Sequence, residues 1–183
     1  MSAQLFLIVP PLSAPAQTLA ALGRIAETTE IAALLLRRGD MAENAYKTMV
    51  KAIAPDAQAL GAAVLIEGEP GWVRLLGADG LHVSGGLKAV RDAVVALKPD
   101  MIVGAGDIGS RHDAMQKGEL EIDYILFGPL SGAISEPERD LARWWAETMQ
   151  VPSVLSDPEA NLAGHDAGDC EFIGLTLPTG GAA

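Results

Sequence analysis

The sequence predicts an α/β protein built from eight β/α units, and three observations predict it. Short apolar, β-branched runs recur at 5–9, 31–36, 63–66, 81–83, 101–103, 124–127, 153–155 and 172–175. Their starts lie roughly 20 to 30 residues apart, the span of one βαβ repeat. The segments between them carry helical patterning, and a parallel return needs a crossover of a dozen or more residues, usually a helix.

Composition agrees. Of 183 residues, 49% are hydrophobic and only 4% aromatic, which suits aliphatic strands covered by Ala-rich helices in closely packed layers. One compact domain spanning 1–183 is expected at this length. A formal charge of −11 favours solubility and repels nucleic-acid phosphate, so nucleic acid is not an expected partner.

The first run, 5–9, follows a start without basic residues and is too short for a signal-peptide core or a membrane span. It reads as the first strand, with no membrane partner. Cys170 is the only cysteine, which leaves no intramolecular disulfide framework and no thiolate cluster for zinc. A cytoplasmic location is the simplest reading.

Two of the intervening helices are strongly patterned. Residues 87–98 place Val90, Ala93, Val94 and Leu97 on one face, and 136–149 place Leu141, Trp144, Trp145 and Thr148 at similar spacing, as expected of helices packed on a sheet. Pro137 suits a first helical turn. Of the adjacent tryptophans, one is expected to pack and the other to stay partly exposed. The segment 158–167 is short and broken by Gly164, and nothing after Gly180 is long enough for an eighth helix. Patterning alone leaves open whether eight such units form an open sheet or a closed barrel, and 183 residues is below the roughly 200-residue lower end for such barrels.

Two motifs decide the matter. Gly77-Ala78-Asp79-Gly80-Leu81-His82-Val83 and Asp123-Tyr124-Ile125-Leu126-Phe127-Gly128-Pro129 resemble the fourth and sixth strands of the thiamine phosphate synthase/TenI family. The resemblance runs from about Leu35 to Val154. It implies a (β/α)8 TIM barrel, here trimmed at the C-terminal helix. It also implies a role in thiamine biosynthesis, in which a pyrimidine diphosphate is joined to a thiazole phosphate with magnesium. The implied partner is a small phosphorylated heterocycle, and a homodimer stays open.

Placed beside the family, Leu36-Arg37-Arg38-Gly39-Asp40 is similar to its L-R-x-K-D motif, with Arg37 and Asp40 matching and Gly39 standing for the lysine. Glu67-Gly68 stands where the family has Asn-Asp, and Ser84-Gly85-Gly86-Leu87 where it has Gly-Gln-x-Asp, so both magnesium aspartates are replaced. Glu67 is the residue that could substitute as a metal ligand. Gly104-Ala105-Gly106-Asp107 lacks the family's serine, the loop from Leu130 to Ser135 lacks its lysine, and Ser156-Asp157-Pro158 replaces a Gly-Gly phosphate nest.

Active sites of such barrels lie at the C-terminal ends of the strands. If Leu35 and Arg37 point inward, then Arg37, Glu67, His82 and Asp107 come from neighbouring strands. That set offers one cation for a small anion and an imidazole and carboxylates for proton transfer. His82 and Asp107 are accordingly the candidate catalytic residues, and Arg37, Asp40, Glu67 and Gly128 the candidate substrate-binding residues. The competing readings are a core histidine for His82 and an ion pair for Arg37 and Glu67. For the whole chain they are a TenI-like metal-independent tautomerase, or a degenerate member acting as a ligand-binding or interaction protein.

Overall fold

A computed structural model describes residues 2–179. Eight parallel strands pair in chain order: β1 (Gln4–Val9), β2 (Ile31–Leu36), β3 (Ala63–Ile66), β4 (Gly80–Val83), β5 (Ile102–Ala105), β6 (Tyr124–Phe127), β7 (Ser153–Ser156) and β8 (Phe172–Thr176). β8 returns to pair with β1, with Leu5 opposite Ile173. The open sheet is thereby excluded and the barrel is closed.

Six helices cover the outside: α1 (Pro15–Ala26), α2 (Glu43–Ala59), α3 (Gly71–Leu75), α4 (Leu87–Leu97), α5 (Arg111–Gly118) and α6 (Glu136–Thr148). α4 buries Val90, Ala93 and Leu97, as its spacing implies. α6 opens with a capping box in which Ser135 and Glu138 satisfy each other's backbone amides, a device that removes two of the unpaired donors at a helix start. Its buried face is Ala142 and Trp145, while Trp144 is partly exposed beside Arg111. Thr148, expected on that face, is exposed, and its hydroxyl donates back to the Trp144 carbonyl at 2.6 Å. Between β7 and β8 the chain crosses as turns with one bridge, Asn161 to Gly164. Among the described residues no helix stands between β7 and β8, in the place of the seventh helix. The expectation about the chain beyond Gly180 lies outside the described residues. None of the described helices is long and apolar enough to cross a membrane.

Three acids at the feet of the even strands tie the strand pairs together. Asp79, just before β4, accepts the Val64 amide of β3 at 2.8 Å. Asp123, just before β6, accepts the Val103 amide of β5 at 2.8 Å and the Lys98 ammonium at 2.7 Å. Glu171, just before β8, accepts the Ser153 amide of β7 at 2.7 Å. Buried amides at a sheet end need such acceptors. The aspartates of both recognised motifs are thus framework at the end of the barrel opposite the mouth.

Strand alternation directs Phe6, Ile8, Ala33, Leu35, Leu65, Tyr124, Leu126 and Val154 into the barrel, where they form the inner core. The opposite faces pack on the helices in the larger outer layer. Leu35 points inward as expected, which carries Arg37 to the mouth.

Candidate active site at the barrel mouth

Arg37 follows β2 directly, and its amide still bonds to the Val9 carbonyl at 3.0 Å. The side chain crosses the mouth: Nη1 donates to the Leu130 carbonyl, beyond β6 on the far wall, at 3.4 Å. Nε lies 4.0 Å from Glu67 Oε1. Arg37 Nε is buried without a hydrogen-bond partner.

Glu67 is held on several sides. Its Oε2 accepts the Arg38 amide at 2.6 Å, and its own amide donates to the Tyr46 hydroxyl at 2.9 Å. Tyr46, fully buried on α2, in turn donates to the Leu36 carbonyl at 2.5 Å. Burial raises the Tyr46 phenol well above its ordinary value, so the hydroxyl stays a neutral bridge between the ends of β2 and β3.

His82 projects inward from β4 and is 2% exposed. Its Nδ1 meets the Tyr124 hydroxyl at 2.6 Å, with the two rings stacked at 14°. Burial, aided by the Arg37 charge, pushes the imidazole down to about 4. It is neutral at pH 7, and burial likewise holds Tyr124 protonated. Nε2 has no partner, and a Cβ on Gly106 would stand 2.7 Å from it. The core-histidine reading is satisfied at Nδ1 and leaves Nε2 buried without a partner.

The other candidates sit differently. Asp107 is exposed, with φ +55°, and its carbonyl and that of Gly106 each accept the Lys117 ammonium at 3.2 Å. Lys117 is almost fully buried and also meets Asp113 at 3.2 Å, so a cation underpins the turn after β5. Sequence reasoning missed it, although Lys117 stands three residues after buried Ala114 on the same helical face. Asp40 is exposed. Gly39, in the position of the family's lysine, has φ +54°, and a Cβ there would meet Pro11 Cγ at 2.7 Å. A lysine there would need a left-handed backbone and a shift of the Pro11 ring. Gly128 has φ +103° and packs on the Ser156 carbonyl, while the Ser156 hydroxyl donates to the Pro129 carbonyl at 2.6 Å.

At Ser156-Asp157-Pro158, which replaces the family's phosphate nest, the Asp157 amide bonds to the Gly174 carbonyl at 2.8 Å and the Asp157 carboxylate pairs with Arg139. A groove of about 520 Å³ lies alongside, between α6 and the turns that replace the seventh helix.

A family model described as thiamine monophosphate synthase matches residues 5–156. The chain belongs to the thiamine monophosphate synthase family. It is 31% identical over 156 residues to the thiamine-phosphate synthase of Rhodospirillum centenum, covering 82% of this chain and 75% of that protein. It is 32% identical over 161 residues to that of Hyphomonas neptunium, covering 82% and 73%. Among solved structures, thiamine phosphate pyrophosphorylase from Pyrococcus furiosus superposes with a TM-score of 0.70 at 16% identity, over 94% of this chain and 85% of that one.

Membership implies a magnesium site, and the residues present do not fit one. Magnesium takes hard oxygen ligands, commonly one or two carboxylates together with substrate phosphates. Glu67 Oε2 is already held by the Arg38 amide, and the two places of the family's aspartates are Gly68 and Leu87. Among the described residues no three His, Cys, Asp or Glu side chains gather closely enough to hold a metal ion.

Proposed function

We propose that this thiamine monophosphate synthase family protein serves cytoplasmic thiamine biosynthesis by binding a small phosphorylated heterocycle at its mouth, at the step where a pyrimidine diphosphate joins a thiazole phosphate. One observation carries the reading: the Arg37 guanidinium lies across the mouth with Nε buried and unpartnered. A phosphate oxygen would satisfy that donor, and its charge would compete with the long contact to Leu130. Guanidinium is well matched to phosphate through paired N–H donors. Neutral His82, with Tyr124 behind it, would accept or donate a proton at Nε2, and burial keeps competing water away.

A second reading, binding without turnover, is favoured by the commitment of Glu67 to the Arg38 amide and by Gly68 and Leu87 standing where metal-binding carboxylates are expected. A diphosphate leaving group has no acidic metal anchor beside it. An assay for thiamine phosphate formation, run with a binding titration of thiazole phosphate, separates the two. Product formation supports the condensation, and saturable binding without product supports the second reading. Absence of both would overturn the proposal.

A further inference from the structure

The opposite end of the barrel holds a cavity of about 180 Å³ that opens at the feet of the strands. Its walls include Phe6, Ala33, Ala63, Tyr124, Val154 and Phe172. Barrel interiors are normally filled by layers of bulky branched side chains. Here β2 and β3 contribute Ala33 and Ala63 at the base, and the space a larger side chain would fill is left over. The polar group at the rim, Asp123, is already matched by the Val103 amide and Lys98, so no unmet charge faces the cavity.

We infer that this basal cavity is a binding site for one small, uncharged aromatic molecule. Size limits the occupant: an apolar cavity of about 150 Å³ takes benzene, whereas drug-sized ligands need roughly 300 Å³ or more. The walls select its chemistry, because Phe6 and Tyr124 already meet edge to face at 5.5 Å, and a third ring in offset or edge contact extends that arrangement. Tyr124 belongs to both ends of the barrel: its ring lines the cavity and its hydroxyl holds His82. A basal ligand would therefore be felt at the His82 imidazole. The inference does not depend on the reading of the mouth.

Toluene is the probe. Titrated into the intact protein in phosphate-free buffer and followed by NMR, it should produce saturable shifts of the Tyr124 and His82 ring signals. Ala33→Leu, which fills the cavity, should weaken binding at least tenfold. Ala63→Val, a smaller filling from the neighbouring strand, keeps the test available if Ala33→Leu does not fold. The inference is overturned by the absence of saturation in the unmodified protein, or by unchanged affinity in a folded filled variant. A concentration-dependent dimer that masks the cavity without toluene binding would also overturn it, because the occupant would then be a second copy of the chain.

Discussion

His82 on β4 and Tyr124 on β6 meet at 2.6 Å over the backbone of Gly104, the residue of β5 that pairs with both of them in the sheet register. Glycine is required there because a Cβ would overlap the Tyr124 ring. The family motifs thus meet at one level of the barrel, through a residue with no side chain.

Gly104→Ala should force the Tyr124 ring out of its place. Overpacking a filled core typically costs about 1–3 kcal/mol. Urea unfolding should show a loss of at least that size, and Tyr124→Phe, which keeps the ring and removes the hydroxyl, should cost less.

The low imidazole value makes stability depend on pH in a defined direction. His82 titrates near 4 when folded against an ordinary 6.5, so the unfolded chain takes up the proton first as pH falls. The contribution of His82 should be complete above about 6.5 and decline towards about 4, by roughly 3 kcal/mol. Denaturation midpoints measured across that window should fall with pH, and His82→Phe should flatten the slope.

Asp123→Ala leaves the Val103 amide without its acceptor and Lys98 without its partner. A buried donor left unsatisfied costs about 1–3 kcal/mol. A drop of that order in unfolding free energy is expected, with ligand binding at the mouth unchanged. Asp79→Ala should behave in the same way at β3.

Tyr46→Phe removes the hydroxyl shared by the Leu36 carbonyl and the Glu67 amide. The expected loss is about 1–3 kcal/mol, read by urea unfolding and accompanied by weaker ligand binding, because Glu67 and Arg37 follow directly from those two strand ends.

Strand positions were readable because apolar β-branched runs alternate with helical periodicity. The bounds at 31–36, 63–66 and 124–127 coincide with β2, β3 and β6. Closure of the barrel was legible only through the family motifs, since an open sheet has the same local pattern. Arg37, Glu67 and His82 were legible as mouth residues from strand alternation. The hold on Glu67 was not, because Tyr46 sits 21 residues away on a helix and contributes only its hydroxyl. Asp107 was placed among the candidates by its position after β5. Its positive φ and the buried Lys117 beneath it were invisible, since both depend on how α5 packs under the turn. Thr148 was assigned to the packed face of α6 by spacing alone, and Ala142 and Trp145 fill that face instead.

Under the proposed function, Arg37 gives the mouth its affinity for a phosphorylated heterocycle without a resident metal. Its present contacts, one at 3.4 Å and one at 4.0 Å, are weak, so Arg37→Ala should change stability by no more than about 1 kcal/mol. The most direct measurement is a thermal-shift titration of the protein and of Arg37→Ala with thiazole phosphate, with and without magnesium, since a ligand of the native state raises its melting temperature. A saturable rise that does not depend on magnesium and is lost in Arg37→Ala is expected. A rise that requires magnesium, or one that survives Arg37→Ala, would contradict this role for Arg37.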